Sequence, residues 1–277
     1  MMRISHRQFI WQQGRLNGQW IIRYYKLYNT PTIDKISQQA TGLSIDHIYL
    51  IGMTFLGIFF EQPFVTRPTK VELPGVDEEH VERFLRFSSL DLVGLGAKLR
   101  AENALDEGFA YRYSSLREFP LIRFSNVGLN QIACPIPTLL FWRITMGLYY
   151  ALKDEDGFST AFGRSFQDYV GQVLNHRVGH QGIQLIGEAE YHVGKDRKDT
   201  ADWIVRQGDD AALFVECKTK RLTWASKADL AHLSALDRDI HSSPGQSYKR
   251  TGRSRIIMRA TILSCALRAT DEFIQSL

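Results

Sequence analysis

The chain has 277 residues, 44% apolar and 23% charged, with 34 Lys and Arg against 30 Asp and Glu for a formal net charge of +4. That length accommodates one large domain or two of about 100–150 residues, with a core that needs neither disulfides nor a structural metal. The composition excludes collagen-like, disordered and disulfide-scaffold classes, and the mild charge permits a nucleic-acid partner without demanding one.

Cys134, Cys217 and Cys265 form neither an even disulfide set nor a CxxC zinc pair, so a reducing, cytoplasmic setting is expected. The N-terminal stretch MMRISHRQFIWQQGR lacks the apolar core of a signal peptide. The most apolar run, Ile48 to Phe60, is shorter than the roughly 20 residues that span a bilayer. It predicts a buried core helix and no membrane association.

The first half reads as mainly helical. Asp34 to Gln39, the turn Thr41-Gly42-Leu43-Ser44 and a run from Ile45 onward predict helix, turn, helix, with Ser44 as the second N-cap. A DNA-reading second helix needs polar side chains that reach base edges. This one runs into YLIGMTFLGIFF and is built for burial. Val81–Phe87, Leu90–Leu99 and Leu139–Leu152 predict further helices. Phe141, Trp142, Met146, Leu148 and Tyr149 give the last of these a wide apolar face that reads as core. The polar stretch Lys153 to Thr160, with Gly157, marks a boundary between domains at 1–155 and 156–277.

The second half changes pattern. Phe162, Phe166, Tyr169, Val170, Val173 and Leu174 recur at helical spacing over about 161–176. Three runs with strand character follow, Ile183–Tyr191, Asp202–Val205 and Ala211–Lys218. Gln207 to Asp210 is a hairpin connection between the last two. A helix over Ser226–Ile240 completes an α-β-β-β-α order. Ile256–Leu263 fits either a strand or a helix.

The chemistry-bearing segment is Ala201-Asp-Trp-Ile-Val205 followed by Ala212-Leu-Phe-Val-Glu-Cys-Lys-Thr-Lys220. Strand alternation puts Leu213, Val215 and Cys217 on one face and Phe214, Glu216 and Lys218 on the other. Charges that close an apolar strand must be exposed or paired. Asp202 opens the neighbouring strand and can lie beside Glu216. Two carboxylates and an ammonium so gathered suit metal-assisted phosphodiester cleavage. The carboxylates hold Mg²⁺ or Mn²⁺, the ion activates water, and Lys218 orients that water or stabilises the growing charge. The plain structural alternative is a surface Glu216–Lys218 ion pair with Asp202 as a strand-end residue.

The order α-β-β-β-α with Asp202…Glu216-Cys217-Lys218, inside the run FGRSFQDYVGQVL…TADWIV…ALFVECKTKRL, resembles the PD-(D/E)xK, or restriction-endonuclease-like, nuclease superfamily over about residues 160–240. The fold class implied is an α/β restriction-endonuclease-like core behind a mainly α-helical N-terminal region, continuing past the second helix with a further strand. The function implied is that of a Mg²⁺-dependent endodeoxyribonuclease. By that resemblance Asp202, Glu216 and the main chain of Cys217 bind metal, and Lys218 assists the nucleophilic water. Duplex cleavage by this fold often needs two active sites, which points to a homodimer. The helical region is a candidate surface for a protein partner. Lys220, Arg221, Lys249 and Arg250 are candidates for contact with the nucleic-acid backbone, most simply DNA.

Two departures stand out. Ala201 replaces the usual Pro before the Asp. Gln167 stands where many members carry a Glu on the first helix. On the helical wheel Gln167 lies about 100° from the centre of the apolar face, on the flank that can reach the site, and Asp168 about 160° away, toward solvent. A neutral amide can coordinate through its oxygen but adds no charge, so Gln167 is kept as a candidate catalytic-site residue and a catalytically inactive member that binds nucleic acid or protein is the alternative reading. Glu188 and Glu190 share a face of the first strand and offer a further ligand, with a solvated strand face as the plainer reading. No HExxH, deaminase, P-loop or nucleophile-elbow motif is present.

Overall fold

A computed structural model describes residues 18–66, 73–102, 114–125, 128–178, 183–208, 210–219 and 256–261, with backbone alone at 178, 210–212 and 256–261. The expected helix at 226–240 lies outside the described residues, as do Lys220, Arg221, Lys249 and Arg250. The chain separates into two compact units, Met1–Ala161 and Phe162–Leu277. The division falls inside a helix, a few residues past the boundary drawn at 155/156.

The first unit opens with α1 (Gly18–Tyr28), α2 (Pro31–Thr41) and α3 (Ile45–Glu61). Thr30 caps α2 by accepting from the Ile33 N–H, and Pro31 occupies the first turn, where no amide partner is lost. The helix stops at Gly42, whose φ of 74° places it in the left-handed region and turns its N–H onto the Gln38 carbonyl. Ser44 Oγ then accepts from the His47 N–H at 3.1 Å and caps α3 as expected. Asp34 on α2 ties the turn down by accepting from the Ile45 N–H at 2.7 Å. Of the apolar run, Ile48, Tyr49, Ile51, Gly52, Phe55, Leu56 and Phe59 are buried, so this is a core helix. No single helix among the described residues is long and apolar enough to cross a membrane.

A small sheet interrupts the helices. Strands β1 (Phe64–Thr66), β2 (Ser89–Asp91), β3 (Leu121–Arg123) and β4 (Gln131–Ala133) align in the order β1-β4-β3-β2. Each has three residues, too few to register a period of two in the sequence. The expected helix from Leu90 therefore begins late. Its first residues pair in β2, and Asp91 Oδ1 accepts from the Gly94 N–H at 2.6 Å to start α5 (Leu92–Glu102). Before it, α4 (Glu78–Ser88) contains the predicted Val81–Phe87. After it comes the one-turn α6 (Ser115–Glu118). The single helix expected over Leu139–Leu152 is two, α7 (Pro137–Ile144) and α8 (Met146–Leu152). Between them Thr145 leaves helical geometry at φ −111°, ψ −101°. Of the expected apolar face Phe141 and Leu148 are buried, and Trp142, Met146 and Tyr149 are half-buried.

The second unit contains most of α9 (Phe158–Val178), then β5 (Ile183–Gly187), β6 (Glu190–Val193), β7 (Asp196–Asp199), β8 (Trp203–Gln207), β9 (Asp210–Lys218) and β10 (Ile256–Thr261). The expected first strand breaks at Glu188 and Ala189, and its far end joins an exposed two-stranded hairpin, β6–β7. Backbone and hydroxyl bonds between Ala189 and Thr200, each 2.9 Å, clamp the hairpin at its base. The main sheet has the order β10-β9-β8-β5. β5/β8 and β8/β9 are antiparallel, and β9/β10 is parallel. The fold is thus mixed α/β with a helical N-terminal half. The segment from Ile256 is a strand.

One contact in the first unit has a measurable consequence. His47 and His80 stand at the third positions of α3 and α4 with ring centroids 3.9 Å apart. His80 Nδ1 accepts from the Asp77 N–H at 3.3 Å while Asp77 Oδ1 accepts from the His80 N–H at 2.9 Å, a reciprocal cap. Burial, then the facing His80, lowers the His47 pKa below its ordinary 6.5, against smaller opposing effects from the Gly75 backbone, Asp46 and Asp34. The folded state therefore binds fewer protons than the unfolded chain, and stability falls as pH drops through the ordinary histidine range. The thermal midpoint is expected to fall between about pH 7.5 and about pH 5.5, and His47→Gln to flatten that dependence. Equal slopes in the two proteins would refute the assignment.

Candidate functional site

The site forms at one end of the main sheet, and a tryptophan fixes how the helix meets it. Trp203, first residue of β8, donates its indole N–H to the Gln167 carbonyl on α9 at 2.9 Å. Its ring lies against Gly171, one turn further along the helix. A Cβ at Gly171 would stand 2.1 Å from Trp203 Cζ2. The indole therefore takes the space a side chain would fill and holds α9 against β8. Phe162, Phe166 and Leu174 are buried, Gln167 is half-buried and Asp168 is exposed, so the wheel places these positions correctly.

The strand register aligns the acidic residues. Gly187 pairs with Trp203, and Trp203 with Val215. Continuing that register by one position brings Glu188, just past β5, and Asp202, just before β8, into line with Glu216 of β9. Adjacent strands are about 4.8 Å apart, so these carboxylates feel one another directly. On the far side, β10 places position 259 opposite Glu216.

Each acid has its own partner. Asp202 Oδ2 accepts from the Cys217 N–H, which bridges the end of β8 to β9. Glu216 Oε1 lies 2.5 Å from Lys218 Nζ, with the side chains 32% and 39% exposed. Half-exposed pairs of this kind contribute about 0–1 kcal/mol to stability, so the pair alone does not explain why charge closes an apolar strand. Glu188 Oε2 accepts from Gln167 Nε2 at 3.2 Å. Glu190 instead pairs with Arg197 across the hairpin. The expected shared face of Glu188 and Glu190 is lost because the strand breaks between them.

Burial raises the Asp202 pKa, and the neighbouring charges of Glu216 and Glu188 add to the rise, against the Cys217 N–H bond and the Lys218 ammonium. Burial, then the charges of Asp202 and Glu216, pushes the Cys217 thiol up, which disfavours its thiolate. What Cys217 offers the site is its backbone.

The donor set is all oxygen, which in kind suits a hard dication. The negative charge that Glu188 and Glu216 impose on Asp202 is the kind a cation relieves. With each carboxylate held by its own partner, no three His, Cys, Asp or Glu side chains among the described residues converge on a metal position. The structure thus brings together Asp202, Glu216, Cys217 and Lys218, and Gln167 reaches the same end of the sheet. Of the two acids that the sequence offered as a further ligand or a solvated strand face, Glu188 lies next to this group once β5 and β8 are paired, and Glu190 does not. No protein-family model, curated protein or solved structure matches the chain.

The Trp203–Gly171 contact predicts a stability change. Gly171→Ala is expected to destabilise the protein by about 1–3 kcal/mol through overpacking. Gly163→Ala, whose Cβ would meet only Thr219 Oγ1 at 3.9 Å, is the control and is expected to be neutral or stabilising. Denaturant titration of both variants checks this, and equal midpoints would refute it.

Proposed function

We propose that the chain is a Mg²⁺- or Mn²⁺-dependent nuclease that hydrolyses DNA phosphodiester bonds on a restriction-endonuclease-like core. The observation that carries the reading is the Asp202–Cys217 backbone bond, which sets Asp202 beside the Glu216–Lys218 pair at the end of two adjacent strands. The topology supports it. A helix precedes three antiparallel strands, and a fourth strand returns parallel to the third. The resemblance implies that further strand after the second helix.

Asp202 and Glu216, with the main-chain carbonyl of Cys217, would hold the dication. When bound, it lowers the pKa of water and offsets negative charge on the phosphoryl group. Lys218 donates hydrogen bonds, either orienting the attacking water or stabilising the charge that grows on a phosphoryl oxygen. Asp202 must be ionised to serve, so activity should fall with falling pH earlier than an ordinary aspartate would allow. Lys220, Arg221, Lys249 and Arg250 are assigned to the DNA backbone in the same reading. A homodimer would supply two sites to a duplex, the helical unit would contact a protein partner, and the reaction would proceed in the cytoplasm.

A second reading, a non-catalytic module that binds nucleic acid or protein, draws on one observation. Residue 167 is a neutral amide already engaged by Glu188. Plasmid cleavage with Mg²⁺ or Mn²⁺ separates the two. The wild type is expected to cut only with metal, and Lys218→Ala to lose about 10²-fold or more in rate. Cutting that persists in the variant refutes the role of Lys218. No metal-dependent cutting of plasmid, single-stranded DNA or RNA by the wild type refutes the nuclease reading and favours the binding module.

A further inference from the structure

Strand β10, Ile256-Ile-Met-Arg-Ala-Thr261, carries a single charged residue, Arg259. A charge in an otherwise apolar strand costs free energy unless it is exposed, paired or used. β10 runs parallel to β9, with Ile257 opposite Phe214, Arg259 opposite Glu216 and Thr261 opposite Lys218. Residues paired in register share a face of the sheet. Arg259 therefore takes its place in the row of Glu216, Asp202 and Glu188. In the strand order β10-β9-β8-β5 that row is graded in sign. The acids run from β9 toward β5, and the cationic residues Lys218 and Arg259 belong to β9 and β10. Glu216 already has a counter-charge, since Lys218 Nζ lies 2.5 Å from its Oε1. A second cationic residue in register with Glu216 is not required to neutralise it, and a cross-strand pair of opposite charges contributes only about 0.2–1 kcal/mol.

We propose that Arg259, in register with Glu216, is the phosphate-binding residue of the site and takes the non-bridging oxygens of the substrate's phosphodiester. The assignment rests on the nuclease reading and deepens it by fixing which side of the sheet end receives the phosphate. A phosphodiester is an anion, and Glu188, Asp202 and Glu216 repel it. It needs a cation on the side away from those acids, and β10 is that side. A guanidinium stays charged at any working pH and presents paired N–H donors that match two phosphoryl oxygens, which an ammonium does not. With those oxygens assigned to Arg259, Lys218 serves the attacking water. The water oxygen bonds to phosphorus and the bond to the leaving sugar oxygen breaks. One water proton ends on that leaving oxygen by way of solvent, and Arg259 keeps its own protons throughout.

The test uses the full chain and two readouts on labelled DNA, duplex or single-stranded. One is single-turnover cutting with Mn²⁺. The other is binding in chelator over a range of salt concentrations, with thermal melting to show that each variant folds. Arg259→Gln is expected to cut about 10²-fold more slowly than the wild type. Its plot of log K against log salt concentration is expected to flatten by about 0.7–0.9, as for one lost phosphate contact. Arg259→Lys keeps the charge, so it is expected to keep that slope and to cut about tenfold more slowly for want of paired donors. If the wild type cuts and either variant cuts at the same rate, the assignment of Arg259 falls and the nuclease reading stands. Slower cutting by Arg259→Gln with an unchanged slope confines Arg259 to a structural role and also overturns the assignment. If the wild type cuts no DNA with Mn²⁺, the nuclease reading falls and the assignment falls with it.

Discussion

The seating of Trp203 on α9 is the constraint from which the rest of the second unit follows. A tryptophan at the start of a strand is bulky enough to hold a helix away from the sheet. Here the helix carries Gly171 at the point of approach and lets the ring in. The indole N–H then finds its acceptor in the Gln167 carbonyl, so a half-buried donor is satisfied by the backbone it packs against. One contact fixes the distance of the helix from the sheet, and the other fixes its position along the sheet. The reach of the Gln167 side chain is a consequence of both.

Electrostatics at the end of the sheet follow from register. Three acidic residues, Glu188 just past β5, Asp202 just before β8 and Glu216 two residues before the end of β9, are neighbours in register, an arrangement that costs free energy unless the charges are shared out. The protein divides them among a backbone N–H, an ammonium and an amide. None of these neutralises the whole group, and Asp202 carries the remainder as a raised pKa. An end so arranged gains from any bound cation, and the metal-dependent reading gives that gain a use.

The first unit rests on burial. Caps at Thr30 and Ser44 and the left-handed Gly42 fix where α2 ends and α3 begins. The apolar length of α3 then makes it a core helix. The short sheet of three-residue strands joins the same core, with Val65, Leu121 and Ile132 buried. Local preference over three residues is too weak to specify a strand, so those segments take their form from their neighbours.

By itself the sequence determined the elements whose pattern is long or chemically marked. The helix pair around Ser44, the amphipathic α9, the apolar strand ending in Glu216 and Lys218, and the hairpin from Gln207 to Asp210 were all legible, because periodicity and capping act over neighbouring residues. The wheel also placed Gln167 on the flank and Asp168 in solvent, since both lie on one rigid helix. Tertiary structure decided the rest. The break of α7 from α8 at Thr145 and the diversion of Leu90 into β2 depend on packing partners far along the chain. So does the choice between strand and helix from Ile256, which parallel pairing with β9 settles. Glu188 is the clearest case. It read as one of two acids sharing a strand face, and it became a neighbour of Asp202 through the pairing of β5 with β8 and the seating of α9. The physical reason is that side-chain periodicity is a property of one element, whereas a site is a property of the register between elements, which only packing fixes.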